Sequence, residues 1–311
     1  MTTVSERCAP LDRLAPGARV AVVRLRSLGD CVLTTPALAL LKQARPDLQI
    51  AIVVQDAFAP VFTGNSDVAA ILPPNAAEIA GWRAELTLNL HGGATSLRLT
   101  LASRSRFRAG FNHFRFRLFY NVRIPRAQEI LQVDRKVHTA EHLASAMFFL
   151  GVTPTEIPRA LLFATPSHRK TPYAVLHPKA STEDKTWSEA RFLNLAEHLE
   201  KQLGIEPVFI AGPGESLEKF NRYPTMTGAS LEEIKALLAG AALFIGNDSG
   251  PAHMAAAFRL PTVVLFGSSD PEIWRPWRTE SAVLSNAGGI HSIDSSEVFR
   301  ALEKLAVPQP K

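Results

Sequence analysis

The sequence predicts an α/β protein of two domains, each a parallel sheet covered by helices. Short apolar runs of strand length alternate with longer amphipathic runs, as in strands joined by helical crossovers. The alternation stops in a stretch rich in proline and threonine, TPTEIPRALLFATPSHRKTP, and then resumes. With 311 residues and 46% apolar content, the chain can bury two cores of ordinary domain size. We place the domains at residues 1–165 and 166–311.

The elements of the first half follow from their apolar patterns. Strands are predicted at ARVAVVRL (18–25), QIAIVV (49–54) and LTLNL (86–90). The amphipathic run TTPALALLKQA predicts a helix after the first strand, and HTAEHLASAMFFLGV predicts another that ends at Gly151.

The second half repeats the alternation from the strand YAVLH (173–177) onward. It continues with a helix at 188–203, the strand PVFIA, a helix near residue 215, the strand ALFIG, a turn and helix, and the strand PTVVLFG. A closing helix at 295–305 is a candidate to pack back on the first domain.

Composition narrows the class of protein. No apolar stretch has the length of a signal-peptide core or a membrane span, so we expect a cytoplasmic protein. The two cysteines, Cys8 and Cys31, lack metal-ligand spacing and are too few for a disulfide scaffold. They are expected to be reduced thiols without a function.

The basic charge is concentrated in residues 98–136. Ten basic and two acidic residues give this segment a net charge of +8, whereas the whole chain carries +5. Phenylalanines and Tyr120 are interleaved with the arginines, a pattern typical of surfaces that bind nucleic acid or anionic lipid. The alternative is an ordinary solvated surface with its aromatic residues in the core.

Ligands of open parallel sheets bind beyond the carboxyl ends of the strands, so a site is expected in the loops that follow strands. The first such loop, RLRSLGDCVLTTPAL, contains Ser27, Gly29 and Asp30. It lacks the G-x-G-x-x-G spacing of a dinucleotide site. From the pattern alone, Asp30 can also be an acidic residue that stabilises the helix start.

Two loops of the second half carry groups suited to a nucleotide. After YAVLH, Lys179 and Lys185 flank a polar turn before a helix, which suits a phosphate, although lysines in polar loops are commonly just solvated. After PVFIA, Gly212 and Gly214 allow close approach. Glu215 can then hydrogen-bond a ribose, or it can be an ordinary acid in a first helical turn.

The stretch GNDSGPAHMAAAF, from position 246, is the most specific. It follows an apolar strand and predicts a tight turn at 246–250 and then a helix. Asp248 and Ser249 lie at the helix start, where free N–H groups attract anions, and Gly250 lets a phosphate approach the main chain. In the alternative interpretation, Asp248 is a helix cap and His253 is a core histidine.

Three of these stretches, in this order, closely resemble glycosyltransferase family 9, the lipopolysaccharide heptosyltransferases. They are RLRSLGDCVLTTPALALLKQARPDLQI, HPKAS followed by DKTWSEARF, and GNDSGPAHMAAAFRLPTVVLFGSSDPEIWRPW. The resemblance extends from about Arg24 to the final helix. It implies a GT-B fold, two Rossmann-like domains facing across a cleft, with the donor nucleotide sugar held mainly by the second domain and the acceptor by the first.

The resemblance implies roles for individual residues. Asp30 matches the aspartate of the family's S-L-G-D motif, which is taken as the general base. Lys185, ahead of Trp187, matches the lysine that contacts the donor phosphates. The implied donor-binding residues are Ser27, Gly29, Lys179, Glu215, Asp248, Ser249, Gly250, Pro251 and His253. Among them, Glu215 matches the family's ribose-binding glutamate less securely.

The implied reaction transfers a heptose from ADP-heptose to a hydroxyl of the lipopolysaccharide inner core, with inversion. A sugar hydroxyl needs a carboxylate to take its proton, a step worth about 10²- to 10⁴-fold in rate. Lys185 and the amides of residues 249–251 are expected to stabilise the departing diphosphate. No D-x-D metal pair occurs in a donor loop, so neither a metal nor a cofactor is expected.

An anionic, lipid-linked saccharide as acceptor would explain the basic segment, with Arg104, Arg106 and Arg108 as its candidate contacts. We then expect a monomer in peripheral contact with the inner face of the cytoplasmic membrane, and no nucleic-acid partner. Three alternatives stay open: a family 9 enzyme with another nucleotide sugar or acceptor, a GT-B nucleotide-sugar epimerase, and a non-catalytic module that binds nucleotide or nucleic acid.

Overall fold

The computed structural model describes residues 9–305, so Cys8 lies outside the described residues. The chain forms two compact units, one that ends at Pro158 and one that begins at Arg159. This division falls slightly before residue 165, within the extended stretch that follows Gly151. Each unit contains one six-stranded sheet.

The first sheet is parallel throughout. Its strands are β1 (Arg19–Val23), β2 (Gln49–Val53), β3 (Ala70–Leu72), β4 (Leu86–Asn89), β5 (Phe107–Phe111) and β6 (Val122–Ile124), in the order β3-β2-β1-β4-β5-β6. Its helices are α1 (Leu28–Ala44), α2 (Ala76–Gly81), α3 (Ala94–Ala102), α4 (Ala127–Leu131) and α5 (Thr139–Leu150). In β1 and β2 every residue after the first is buried, as expected of strands covered on both faces.

The second sheet is also parallel. Its strands are β7 (Tyr173–His177), β8 (Glu206–Ala211), β9 (Thr225–Thr227), β10 (Leu243–Asn247), β11 (Thr262–Leu265) and β12 (Ser281–Leu284), in the order β12-β11-β10-β7-β8-β9. Its helices are α6 (Glu189–Leu203), α7 (Leu231–Gly240), α8 (Gly250–Ala257), α9 (Pro271–Trp274) and α10 (Ser295–Lys304). Trp187, Phe192 and Phe209 are fully buried in its core.

Both sheets have the strand order of a doubly wound Rossmann-like fold, which opens a crevice where the strand order reverses. That point lies between β1 and β4 in the first unit and between β7 and β10 in the second. Because the strands are parallel, their carboxyl ends share one edge of each sheet. The four loops selected from the sequence therefore all lie at these two edges.

The prediction of a helix near residue 215 is wrong. Residues 212–217 form a turn with Gly214 at φ +81°, and only a 3-10 turn follows, at Glu218–Phe220. The sequence prediction also missed α7, which begins with a capping box in which the backbone N and the hydroxyl of Ser230 donate to Glu233. Of the five strands it missed, β3, β6, β9 and β12 are the edge strands of the two sheets, and β5 is the fifth.

The final helix, α10, packs on the core of its own unit through Val298 and Leu302. Cys31 is a free, buried thiol in α1, and burial raises its pKa to about 12. Within residues 9–305, no helix combines the length and the apolar character needed to cross a membrane.

Candidate functional site

Asp30 lies at the carboxyl edge of the first sheet, in the first turn of α1. Its Oδ2 accepts hydrogen bonds from the backbone N of Ser27, at 3.4 Å, and from the Ser27 hydroxyl, at 3.0 Å. Its Oδ1 lies 3.3 Å from Nη1 of Arg24, and the side chain is 23% exposed. Asp30 therefore stabilises the helix start, with Ser27 as the N-cap residue and Gly29 buried beside it, while its carboxylate stays accessible to a ligand.

Two groups beside Asp30 were missed by the sequence reasoning. Arg24 follows β1 directly, is buried, and has a buried Nε without a hydrogen-bond partner in the described chain. Burial lowers the pKa of Arg24, and the charge of Asp30 opposes that shift. His91 follows β4; burial and then the charge of Arg24 lower its pKa. The signal for both was available, since each is a polar residue at the carboxyl end of a predicted strand.

A stack of aromatic rings lies near Arg24. Phe111, at the end of β5, stacks on His142 with ring centroids 4.2 Å apart and on His113 at 5.3 Å. Burial lowers the pKa of His142 to about 4, with smaller effects from the charges of His113 and Arg24. The edge of the first sheet therefore presents the carboxylate of Asp30 beside a guanidinium and neutral imidazoles.

In the second unit, hydrogen bonds connect the segments at the carboxyl ends of β7 and β10. The Nδ1 of His177, the last residue of β7, lies 3.0 Å from the hydroxyl of Ser249, which is the N-cap residue of α8. Asn247, the last residue of β10, accepts a hydrogen bond from the backbone N of Trp187 at 3.0 Å. Burial lowers the pKa of His177 to about 4, so this imidazole is neutral at pH 7. These bonds bring the second and fourth predicted loops together.

Lys185 and Asp248 lie close enough to interact. Burial raises the pKa of Asp248, and the positive charge of Lys185 opposes the rise. The turn that carries Lys185 packs against Gly267, just after β11, where a Cβ atom would lie 1.9 Å from the carbonyl oxygen of Asp184. Only glycine permits this approach, so Gly267 fixes the position of the turn that carries Lys185, and the sequence analysis did not name it.

The start of α8 offers one backbone donor fewer than expected. The prediction counted the amides of residues 249–251, but Pro251 carries no N–H. The N–H of Ala252 is also used, because it donates to the carbonyl of Ser249. The amides of Ser249 and Gly250 remain at the positive end of the helix dipole. His253 is 4% exposed, as in the core interpretation, and its ring lies 6.4 Å from that of Trp274.

Two further predicted donor residues have internal partners at the same edge. The Nζ of Lys179 lies 2.7 Å from Oε1 of Glu189, whose Oε2 lies 2.8 Å from Nζ of Lys219. The Oε2 of Glu215 accepts a 2.6 Å hydrogen bond from the backbone N of Gly212, after β8. One carboxylate oxygen of Glu215 is therefore already bound to the backbone of its own turn.

The three predicted acceptor arginines do not join the residues around Asp30. Arg104 and Arg106 precede β5 and lie at the amino ends of the strands, the opposite edge of the sheet. Nη1 of Arg106 lies 3.3 Å from Glu85, and Nη1 of Arg108, inside β5, donates to the carbonyl of Ser105. The reason is the register of β5. Residues before the strand lie at the amino edge of the sheet, and residues after it lie at the carboxyl edge, so the start of β5 determines the edge at which each arginine lies.

Comparison with known proteins agrees with this architecture. The chain is 26% identical to lipopolysaccharide heptosyltransferase 3 of Escherichia coli K12, over 90% of this chain and 96% of that protein. It is also 26% identical to lipopolysaccharide heptosyltransferase 1 of Salmonella typhimurium, over 90% and 98%.

Solved structures show the same fold. A glycosyl transferase family 9 protein from Veillonella parvula superposes with a TM-score of 0.80 at 23% identity, over 92% of this chain and 96% of that one. The E. coli heptosyltransferase WaaC with ADP superposes with a TM-score of 0.76 at 21% identity, over 92% and 99%. The predicted GT-B fold of two Rossmann-like domains is thus confirmed. A family model described as glycosyltransferase family 9 (heptosyltransferase) matches residues 77–299, and the chain belongs to that family.

Proposed function

We propose that this chain is an inverting glycosyltransferase that moves a heptose from ADP-heptose to a hydroxyl of the lipopolysaccharide inner core. The observation that carries the proposal is Asp30, whose carboxylate is oriented by Arg24 and Ser27 yet remains 23% exposed at the edge where ligands of this fold bind. The two full-length relatives named as lipopolysaccharide heptosyltransferases support the substrate class.

In this mechanism Asp30 acts as general base. An acceptor hydroxyl is far too weak an acid to ionise at neutral pH, so its proton moves to the carboxylate as the oxygen attacks the anomeric carbon. The attack comes from the face opposite the nucleotide, and a single displacement inverts the configuration. Arg24 acts as a positioning residue, because it holds one carboxylate oxygen while Ser27 holds the other.

The second unit serves the leaving group in this proposal. As the bond from the anomeric carbon to the diphosphate oxygen breaks, negative charge develops on ADP. The ammonium of Lys185 and the amides of Ser249 and Gly250 are donors suited to that charge. Lys179 and Glu215 complete the proposed donor set, with Glu215 directed to the ribose. This leaving-group stabilisation requires no divalent metal and no cofactor.

The proposed acceptor is an anionic, lipid-linked saccharide, and the enzyme works as a monomer in peripheral contact with the inner face of the cytoplasmic membrane. The excess of arginine in residues 98–136 supports this partner. The position of Arg104 and Arg106 gives no support to direct contact between them and the hydroxyl at Asp30. We therefore leave these two residues outside the proposed catalytic contacts.

A donor and acceptor screen tests the proposal. The purified chain is incubated with ADP-heptose, or with UDP- and GDP-linked sugars, and with a lipid A acceptor that carries Kdo, in buffer with and without EDTA. The expected product carries one added heptose from ADP-heptose alone, in the anomeric configuration opposite to that of the donor, at the same rate with EDTA. Transfer from another donor only, retention of configuration, or isomerisation of the donor without an acceptor would each overturn it.

A further inference from the structure

The connection between β5 and β6, residues 112–121, exposes large apolar side chains to solvent. Leu118 is 77% exposed and Phe119 is 53% exposed, more than any other large apolar side chain within residues 9–305. They are adjacent, in the 3-10 turn Arg117–Phe119. A single exposed apolar residue needs no explanation, but an adjacent pair of this size marks an interaction surface.

This pair is presented by a fixed turn. Tyr120 is 2% exposed, and its hydroxyl accepts a hydrogen bond from Nδ2 of Asn89 at 2.9 Å. On the other side, the ring of Phe114 packs at 5.5 Å on Phe111. Backbone bonds from Arg117 to the Phe114 carbonyl and from Tyr120 to the Arg117 carbonyl close the turn. The structure thus keeps Leu118 and Phe119 in solvent while burying the aromatic ring that follows them.

Arginines flank the pair on both sides in the sequence. Arg115, Arg117 and Arg123 are exposed, and none of them forms an ion pair in the described part of the chain. The guanidinium of Arg115 lies 5.5 Å from the ring centroid of Phe116. Residues 86–128 contain no aspartate or glutamate, so no carboxylate of this stretch offsets these charges.

We propose that this docking tip, residues 115–119 with Arg123, binds the surface of an anionic lipid bilayer. Leu118 and Phe119 enter the boundary between headgroups and acyl chains, and the arginines contact lipid phosphates. An apolar insertion combined with a basic patch is the two-signal arrangement that makes peripheral binding both reversible and selective for anionic lipid. The inference rests on the membrane contact in the proposed function and names the surface that makes it.

The charges and the exposed apolar side chains together favour an anionic bilayer over two other binding partners, a second copy of the chain and a nucleic acid. A second copy of the chain would set one arginine cluster against another, which is repulsive. A nucleic acid would be matched by the arginines but gives an exposed leucine no apolar environment. An anionic bilayer satisfies both the charges and the apolar side chains.

Co-sedimentation with vesicles tests the tip. The full chain is mixed with vesicles of phosphatidylcholine alone or with phosphatidylglycerol. Binding is expected only with phosphatidylglycerol, and salt should weaken it. Leu118→Ser with Phe119→Ser, and separately Arg115→Gln with Arg117→Gln, should each reduce the partition coefficient by about tenfold or more. In the variant Phe119→Trp, tryptophan emission should gain a blue-shifted component that brominated lipid quenches.

Matched variants serve as controls. Arg104→Gln with Arg106→Gln removes the same charge from the same segment outside the docking tip, and Leu101→Ser alters an apolar side chain that is only 39% exposed. Both should bind vesicles like the unmodified chain. Three results would refute membrane binding by the docking tip. The controls could lose as much binding as the tip variants, or the chain could bind vesicles without phosphatidylglycerol. Alternatively, Leu118→Ser with Phe119→Ser could change only self-association or RNA binding.

Failure of the tip and failure of the proposed reaction are distinguishable. Transfer to a deacylated acceptor in solution should be unchanged by Leu118→Ser with Phe119→Ser. Normal transfer without vesicle binding refutes the docking tip alone. Vesicle binding without transfer from any donor refutes the proposed reaction alone.

Discussion

Nη1 of Arg24 lies 3.3 Å from the carboxylate of Asp30, and the two side chains differ sharply in exposure: 8% for the arginine and 23% for the aspartate. A buried guanidinium needs a counter-ion because it has lost its hydration, as the lowered pKa of Arg24 reflects. Asp30 provides that counter-ion and keeps one side open. The carboxylate of Asp30 therefore stabilises the buried guanidinium of the first unit and is still accessible to a ligand.

Asp30→Asn should reduce turnover by at least about 100-fold while ADP affinity stays within a factor of about two, because an amide cannot accept the hydroxyl proton. Initial rates and calorimetry with ADP provide the measurement. Asp47→Asn is the matched control, since Asp47 pairs with Arg45 at an exposed position of the same unit. Turnover of Asp30→Asn close to that of the unmodified chain would refute the general base.

Arg24→Met should lower kcat and leave the donor KM nearly unchanged, because the carboxylate loses the partner that orients it. Arg24→Lys keeps the charge and should recover part of the loss. Steady-state kinetics with circular dichroism spectra separate this effect from unfolding. If the methionine variant folds and turns over normally, or if lysine restores nothing, Arg24 is not a positioning residue.

Lys185→Ala should weaken ADP binding by about tenfold, the loss expected for one charged hydrogen bond to a phosphate. Calorimetry with ADP measures the change directly. Lys201→Ala removes a lysine from an exposed pair with Glu197 on α6 and should leave ADP affinity unaltered. Unchanged ADP affinity in Lys185→Ala would exclude contact between this lysine and the diphosphate.

Gly267→Ala should impair donor binding through the turn that carries Lys185. The added methyl group would lie 1.9 Å from the Asp184 carbonyl oxygen, so the turn must move away. We expect a lower melting temperature and an ADP affinity reduced at least as much as in Lys185→Ala. Gly81→Ala has open space around its Cβ and is the control. Normal ADP affinity in Gly267→Ala would contradict the close packing of Gly267 against Asp184.

The second unit should lose stability as the pH falls below about 6.5. Burial lowers the pKa of His177 from 6.5 to about 4, so between these values the unfolded chain binds a proton that the folded chain excludes. The free energy of unfolding is therefore fully present above about pH 6.5 and decreases toward pH 4, by up to about 1.4 kcal/mol per pH unit for this histidine.

Urea unfolding at about pH 7, 6 and 5 measures this dependence. His142 shifts in the same direction and adds its own contribution from the first unit. His177→Asn can keep a hydrogen bond to Ser249 and should flatten the pH dependence, whereas His168→Asn, at an exposed position, should not. An identical slope in His177→Asn and the unmodified chain would show that His177 is not the titrating group.

Much of the fold was predictable because its central strands are buried on both faces. β1, β2, β4, β7, β8, β10 and β11 appear in the sequence as continuous apolar runs, and α1, α5, α6 and α10 follow from amphipathic patterns. The edge strands were not predicted, because they are short and partly exposed: β9 reads TMT and buries none of its residues fully. An edge strand forms only by pairing with the adjacent strand of the sheet, which no local pattern in its own sequence shows.

The sequence by itself determined which edge of each sheet carries the candidate loops, since in a parallel sheet every strand delivers its following loop to one edge. The order of strands and loops predicted that Asp30, Lys185 and the 247–253 stretch follow the carboxyl ends of strands, and the structure has them there. Tertiary structure decided which of these groups meet. The contact of Arg24 with Asp30, the approach of Asp184 to Gly267, and the position of Arg104 at the far edge depend on register and close packing, which join residues that no local pattern relates.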